Sequence, residues 1–333
     1  MFVHSPGEMP AGLVARMKPA AESLRGAALD ERVKAHVERD PVLRPILERV
    51  ARRYIGGRTI SEVLEVLAAI NASGHSASVD YMGESCRDAG RAVAETGRFL
   101  ALVEAVAARH LNCSISLDLS HLGALIDPEL GYENAGRVAA AAAGAGQEMM
   151  ISMEGSDRAD LILDVHDRLS QRFQNVGITI QARLHRTVRD LPSLLDRPGR
   201  IRLVKGAFAE PETIAYPRDS QQSVDAFCRV GRQLLASGHS CSIATHDRSI
   251  HHEFDEFIRG SDLPGGSFEF ETLLGLGREQ LEWLRQRGYA TREYVVFGSE
   301  WYLYVCNRVA EDPTRLFEAV VDAVGSENLE VDR

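Results

Sequence analysis

The chain has 333 residues, room for two ordinary domains or for one large barrel. Lys and Arg total 38 against 48 Asp and Glu, a formal net charge of −10, which argues against a general nucleic-acid binder because that function needs a basic face. Five cysteines with no close pair exclude disulfide and zinc frameworks and suit a reducing cytoplasm, and no run nears the ~20 apolar residues of a membrane span.

The N-terminus, MFVHSPGEMPAGLVARMK, has no apolar core of secretory length, although peripheral membrane contact stays open. From there to about residue 70 the chain reads as helical, with an apolar stripe through PVLRPILERVARRYI. Gly56-Gly57 closes that stretch, and Thr59 to Asn71 forms a further helix for which Thr59 or Ser61 is the cap. A rhythm then begins. Short β-like runs occur at 76–82, 113–120, 149–154, 177–184, 201–207, 241–246, 268–274 and 293–298, separated by helical segments such as RAVAETGRFLALVEAVAARH and SVDAFCRVGRQLLAS. Strands alternating with helices imply parallel βαβ units, and eight of them imply a closed (β/α)8 TIM-like barrel. GAGQ, residues 144–147, ends a helix instead of following a strand, so the dinucleotide fingerprint of an open sheet is not met. The expected organisation is a helical segment over 1–72 packing on the barrel, the barrel over 73–325 and a tail over 326–333.

Barrel enzymes place their chemistry at the C-terminal ends of the strands. Those ends carry Asp80, Asp118, Ser152 with Glu154, Gln181 with Arg183, Arg202 with Lys205, Thr245 with His246, Glu269 with Glu271, and Tyr294. Any one of them is as readily the first solvated residue of a loop; eight polar ends in succession weigh more than each alone. Arg202 and Lys205 lie three apart and face opposite ways in a regular strand, so one ligand reaches both only by spanning the strand end. Gly206 then lets backbone approach that ligand closely. His251-His252 read as surface residues of a helix. No local motif supports a metal site, although Asp118, Glu154 and His246 form a set that a metal-dependent lyase or isomerase would use.

The ordered motifs YIGGRTISEVLEVLAAINASGHSASVDYMGES, IRLVKGAF, SIATHD, FEFETLLG and YVVFGSEWYLYVCNRVAED resemble the proline dehydrogenase family over roughly residues 54–320. The resemblance implies a distorted (β/α)8 barrel with N-terminal helices that binds FAD. It places Gln181, Arg202, Lys205, Gly206, Ala207, Thr245, His246, Glu271 and Glu311 on the cofactor. Arg202 polarises the flavin, and the mouth is expected to be electropositive around it. Leu273, Tyr294 and Tyr304 would shape the substrate pocket, and Arg308 would anchor the substrate, with Arg202, Tyr294 and Arg308 as the catalytic set. The implied chemistry removes hydride from a carbon beside a secondary amine and passes the electrons to a membrane quinone or another acceptor. The expected location is cytoplasmic, peripheral to the inner face of the membrane, and the resemblance implies no particular oligomeric state.

The sequence also departs from the family pattern at the position of the substrate carboxylate. Asn307 stands where the first of two adjacent arginines belongs, Asp118 where a lysine belongs, Ser152 where an aspartate belongs, and Glu271 where a glutamine belongs. Each lost charge-assisted contact is worth on the order of 1.5–3 kcal/mol, so free proline should bind weakly and a modified, proline-like amine becomes a candidate substrate. A flavin-binding protein without turnover is the remaining alternative.

Overall fold

The computed structural model describes residues 11–83, 86–265 and 267–311, together with 315, 319 and 321. The chain divides into two compact units, residues 56–298 and a second formed by residues 1–55 with 299–333. The division therefore falls before the helix at 60–72 instead of at 72/73, and the last helix is grouped with the N-terminal ones. The expected tail at 326–333 lies outside the described residues.

In the larger unit, helix α4 (Ile60–Ala72) opens on a capping box: Thr59 Oγ1 accepts from the Glu62 amide at 3.2 Å and Glu62 Oε2 accepts from the Thr59 amide at 3.0 Å. Thr59, not Ser61, is thus the cap. Eight strands follow: β1 (Ser76–Tyr81), β2 (Cys113–Leu117), β3 (Met149–Ile151), β4 (Val176–Gln181), β5 (Ile201–Val204), β6 (Cys241–Ala244), β7 (Phe268–Leu273) and β8 (Ala290–Phe297). Each pairs in parallel with the next, and β8 returns to β1 with Ser78 opposite Tyr294, closing the barrel. The crossovers carry α5 (Ala89–Ala108), α6 (Pro128–Gly144), α7 (Ala159–Ser170), α8 (Thr187–Leu195), α9 (Gln221–Ser237), α10 (Arg248–Arg259) and α11 (Arg278–Gln286).

The apolar core is the layer between strands and helices. Val79, Ile115, Met149, Ile178, Leu203, Ile243, Phe270 and Val295 alternate along the strands and meet helix residues such as Phe99, Val138, Leu169 and Leu234, all fully buried. The other strand face is polar, because it is the inside of the barrel. In the second unit, α1 (Ala11–Leu29), α2 (Glu31–Arg39) and α3 (Leu43–Ala51) group with α12 (Trp301–Glu311). There Arg25 Nη2 donates to the Ala310 carbonyl at 3.0 Å and Lys34 pairs with Glu300 at 2.7 Å.

Candidate active site

The centre of the barrel is a ladder of ion pairs. Arg202 projects inward from β5, where side chains of three other strands hold it. Its Nε donates to Glu271 Oε2 at 2.9 Å, Nη1 to Ser116 Oγ at 3.1 Å and Nη2 to Ser78 Oγ at 2.9 Å. Residues from β1, β2, β5 and β7 meet in this way only inside a closed barrel. The guanidinium also lies 5.0 Å from the centre of the Tyr294 ring. One layer nearer the N-terminal end, Arg292 Nε donates to Glu269 Oε1 at 2.6 Å, and Ser242 Oγ donates to the same oxygen at 2.6 Å. Arg200 pairs with Glu148 at 3.1 Å at the floor. Glu269 thus belongs to the layer below the mouth and not to the ligand-facing end assigned to it by the strand-end pattern.

At the mouth, Gln181 ends β4 and donates through Nε2 to the Glu154 carbonyl at 2.7 Å, which fixes its amide. Gln181 Oε1 and Glu271 Oε1 are both buried without a hydrogen-bond partner among the described residues. Two orphan acceptors, one of them on the carboxylate that clamps Arg202, suit a ligand that offers N–H or O–H donors. Gly206 adopts φ +110°, and a Cβ there would stand 2.6 Å from Gln181 Oε1. Its role is therefore to leave room for that amide as well as to take a left-handed backbone. Arg183 holds the segment after β5, donating to the Phe208 and Tyr216 carbonyls at 2.7 and 2.8 Å.

The two cations expected to make the mouth electropositive, Arg202 and Lys205, are each paired with a carboxylate. Lys205 Nζ meets Asp247 Oδ2 at 3.0 Å, just as Glu271 meets Arg202. Burial works against ionisation of Asp247, yet the Ser249 hydroxyl and Lys205 hold its carboxyl down at about 2. Thr245 and His246 lead into that corner, where Thr245 Oγ1 accepts from the Asp247 amide at 3.1 Å, and Ala207 is exposed in the loop after Gly206. On the opposite side the Tyr294 hydroxyl donates to Asp80 Oδ2. Burial, reinforced by the charge of Asp118, pushes Asp80 well above the usual carboxylate range. Asp118 is half-buried just beyond β2, with its Oδ2 4.0 Å from His121 Nε2. Ser152 is half-buried just beyond β3, its amide donating to the Leu117 carbonyl at 2.9 Å, and Leu273 pairs in register with Tyr294.

Four expected residues lie on α12, in the other unit. There Arg308 Nη2 pairs with Glu311 Oε1 at 2.6 Å, and the Arg308 guanidinium stacks 5.1 Å from the Tyr304 ring. Asn307 is adjacent and half-buried. The metal set does not assemble. Glu154 is committed to Arg158 and to the Ser120 amide at 3.1 Å, and among the described residues no three His, Cys, Asp or Glu side chains gather to hold an ion. His251 is also not on the surface: it is fully buried, edge-on to Phe270 at 5.7 Å. Strand-end reading found Arg202, Glu271 and Gln181 but missed Ser78, Ser116 and Arg292, which lie mid-strand. Their only signal is polar residues alternating with apolar ones inside strands that the helices cover.

A closed parallel barrel with its clamped cation, orphan acceptors and acidic pair at the C-terminal ends of the strands is a TIM-like barrel enzyme. A profile described as proline dehydrogenase matches residues 63–304, and the chain belongs to the proline dehydrogenase family, oxidoreductases acting on a CH–NH donor. It is 31% identical over 283 residues to proline dehydrogenase of Deinococcus radiodurans, covering 81% of this chain and 91% of that protein. It is 30% identical over 266 residues to proline dehydrogenase 1 of Bacillus subtilis, covering 79% and 87%. Among solved structures, proline utilization A (PutA) from Bdellovibrio bacteriovorus inactivated by N-propargylglycine shares the fold with a TM-score of 0.77 at 18% identity, covering 95% of this chain and 40% of that one. PutA mutant D779W from Bradyrhizobium japonicum gives 0.64 at 23% identity, over 79% and 31%. The chain thus spans well under half of either PutA protein. Among the described residues no helix is long and apolar enough to cross a membrane.

Proposed function

We propose that the protein oxidises the CH–NH bond of L-proline, or of a proline-like cyclic secondary amine, to the imine, with FAD bound at the C-terminal mouth of the barrel. The observation that carries the reading is the clamped, buried Arg202 whose partner Glu271 keeps an orphan acceptor, Oε1, with a second orphan acceptor, Gln181 Oε1, at the end of the adjacent strand. An isoalloxazine offers an N–H and electron-rich ring atoms, so the residues present fit the group. Gln181, Arg202, Lys205, Gly206, Ala207, Thr245, His246 and Glu271 would hold it. When bound, it supplies the hydride acceptor.

The chain's own residues supply the rest. Arg202 has five N–H groups and spends three on Glu271, Ser116 and Ser78, so two remain for a ligand. Because its partners come from strands, the guanidinium needs no rearrangement as charge arrives. Tyr294 presents a ring wall whose hydroxyl hydrogen is committed to Asp80, and Leu273 extends that wall. Asp118 puts an acidic group where a lysine was expected, next to the Asp80 carboxyl that burial makes costly to ionise, which supports recognition of an amine and weakens the grip on a free carboxylate. The role of Ser152 at the substrate is part of the same proposal. So are a quinone or other electron acceptor and a cytoplasmic location. The metal-dependent lyase is not favoured, since Glu154 is already paired.

Anaerobic mixing of the purified holoenzyme with L-proline, hydroxyproline and prolinamide tests the reading. The flavin absorbance should bleach with at least one of them. A protein that takes up no FAD, or a bound flavin that stays oxidised with all three, overturns it.

A further inference from the structure

We propose that Glu271 is the positioning residue that sets the charge Arg202 presents at the mouth, and that it lowers the reduction potential of the flavin bound there. The inference rests on the reading that a flavin binds at this mouth. The side chains of Arg202 and Glu271 are 5% and 2% exposed, with Nε and Oε2 2.9 Å apart. Two opposite charges this close inside a barrel act on a third group as a dipole and not as a cation. Ser116 and Ser78 supply only hydroxyls, which fix the plane of the guanidinium without adding charge.

The deeper layers add no spare cation. Ser78 Oγ lies 2.7 Å from Ser114 Oγ, which also accepts from Arg292 Nη1 at 3.1 Å, so a hydroxyl bridge joins the two arginine layers. Arg292 is matched by Glu269 and Arg200 by Glu148. Every arginine of this column therefore has its carboxylate. The second oxygen of Glu271 has no protein donor among the described residues, so its charge is left to act on whatever occupies the mouth. A negative charge there disfavours the arrival of electrons. A neutral side chain of the same shape should favour it.

The test is a substrate-free redox titration of the holoenzyme against a reference dye, followed by visible absorbance, for wild type, Glu271→Gln and Glu271→Asp. At a fixed external potential, Glu271→Gln should raise the ratio of reduced to oxidised flavin at least tenfold, and Glu271→Asp should stay near wild type. Ser116→Ala, which frees Nη1 but keeps the charge pair, should move the ratio less than Glu271→Gln. Should Glu271→Gln fail to fold, Glu271→Asp and Ser116→Ala decide, because a tenfold shift in either shows that charge neutralisation is not the control. A flavin-loaded Glu271→Gln with an unchanged or lowered ratio overturns this inference alone. A wild-type protein that binds no flavin overturns the reading beneath it.

Discussion

The hydroxyl of Tyr294 donates to the carboxyl of Asp80 across the β8–β1 seam, the pairing that closes the barrel. Seam and mouth therefore share one hydrogen bond, and the carboxyl that accepts it is costly to ionise, first through burial and then through the charge of Asp118.

Asp80→Asn should stabilise the protein at pH 8. A carboxyl whose folded pKa is raised lends stability that is fully present below its unfolded pKa, about 3.9, and is lost as pH rises through the folded value. The expected gain is about 1–2 kcal/mol, a few degrees in Tm. Thermal melts of both proteins between pH 5 and 8 check it: the gap should narrow toward acid. A gap constant with pH would show that Asp80 does not titrate in this range.

Acid should act in the opposite sense through two buried histidines. Burial pushes His166 and His251 down to about 4, from an ordinary value near 6.5. Their folded pKa values are depressed, so stability is complete above pH 6.5 and falls as protons bind the unfolded chain first, by on the order of 2–3 kcal/mol for each by pH 4. His166→Leu should flatten part of that decline. Melts between pH 7 and 4.5 measure the slope, and an unchanged slope would locate the acid sensitivity elsewhere.

Gly206→Ala should weaken cofactor retention. The glycine's φ of +110° is strained for any other residue, and the added methyl falls 2.6 Å from Gln181 Oε1. Relief requires Gln181 to leave the Glu154 carbonyl. A stability cost of about 1–2 kcal/mol follows from the backbone, and FAD affinity, read by fluorescence titration of the apoprotein, should fall at least tenfold. Unchanged affinity would show that the Gln181 amide does not meet the flavin.

The barrel was legible because apolar residues alternate in short runs at regular spacing, and the helices between them are long enough for parallel crossovers. What stayed hidden was the meaning of the polar half of that alternation. Glu269 and Glu271 read as polar strand ends and Arg292 falls outside the run at 293–298, yet all three are buried within β7 and β8 and belong to the ion-pair ladder. Their partners sit on other strands, and only closure of the barrel decides which carboxylate meets which cation. Lys205 looked free for a ligand because Asp247 is 42 residues away. His251 looked exposed because it follows a polar helix start, but it shares its face with Ile250 and Phe254, which are buried.

The deeper pair gives a test of that ladder which needs no ligand. Among the described residues, Arg292→Met leaves Glu269, itself buried, with the Ser242 hydroxyl at 2.6 Å and Arg200 at 3.6 Å. Removing one partner of a buried pair typically costs about 3–5 kcal/mol, whereas removing both charges together costs far less. Urea unfolding of Arg292→Met, Glu269→Gln and the double variant should therefore be strongly non-additive, with a coupling energy of at least about 2 kcal/mol. The Ser114 hydroxyl that Arg292 reaches is also bonded to Ser78, the support of Arg202. Arg292→Met should accordingly disturb the mouth as well as the floor. Additive single losses would mean that the pair is tolerated in the barrel without helping to hold the arginine above it.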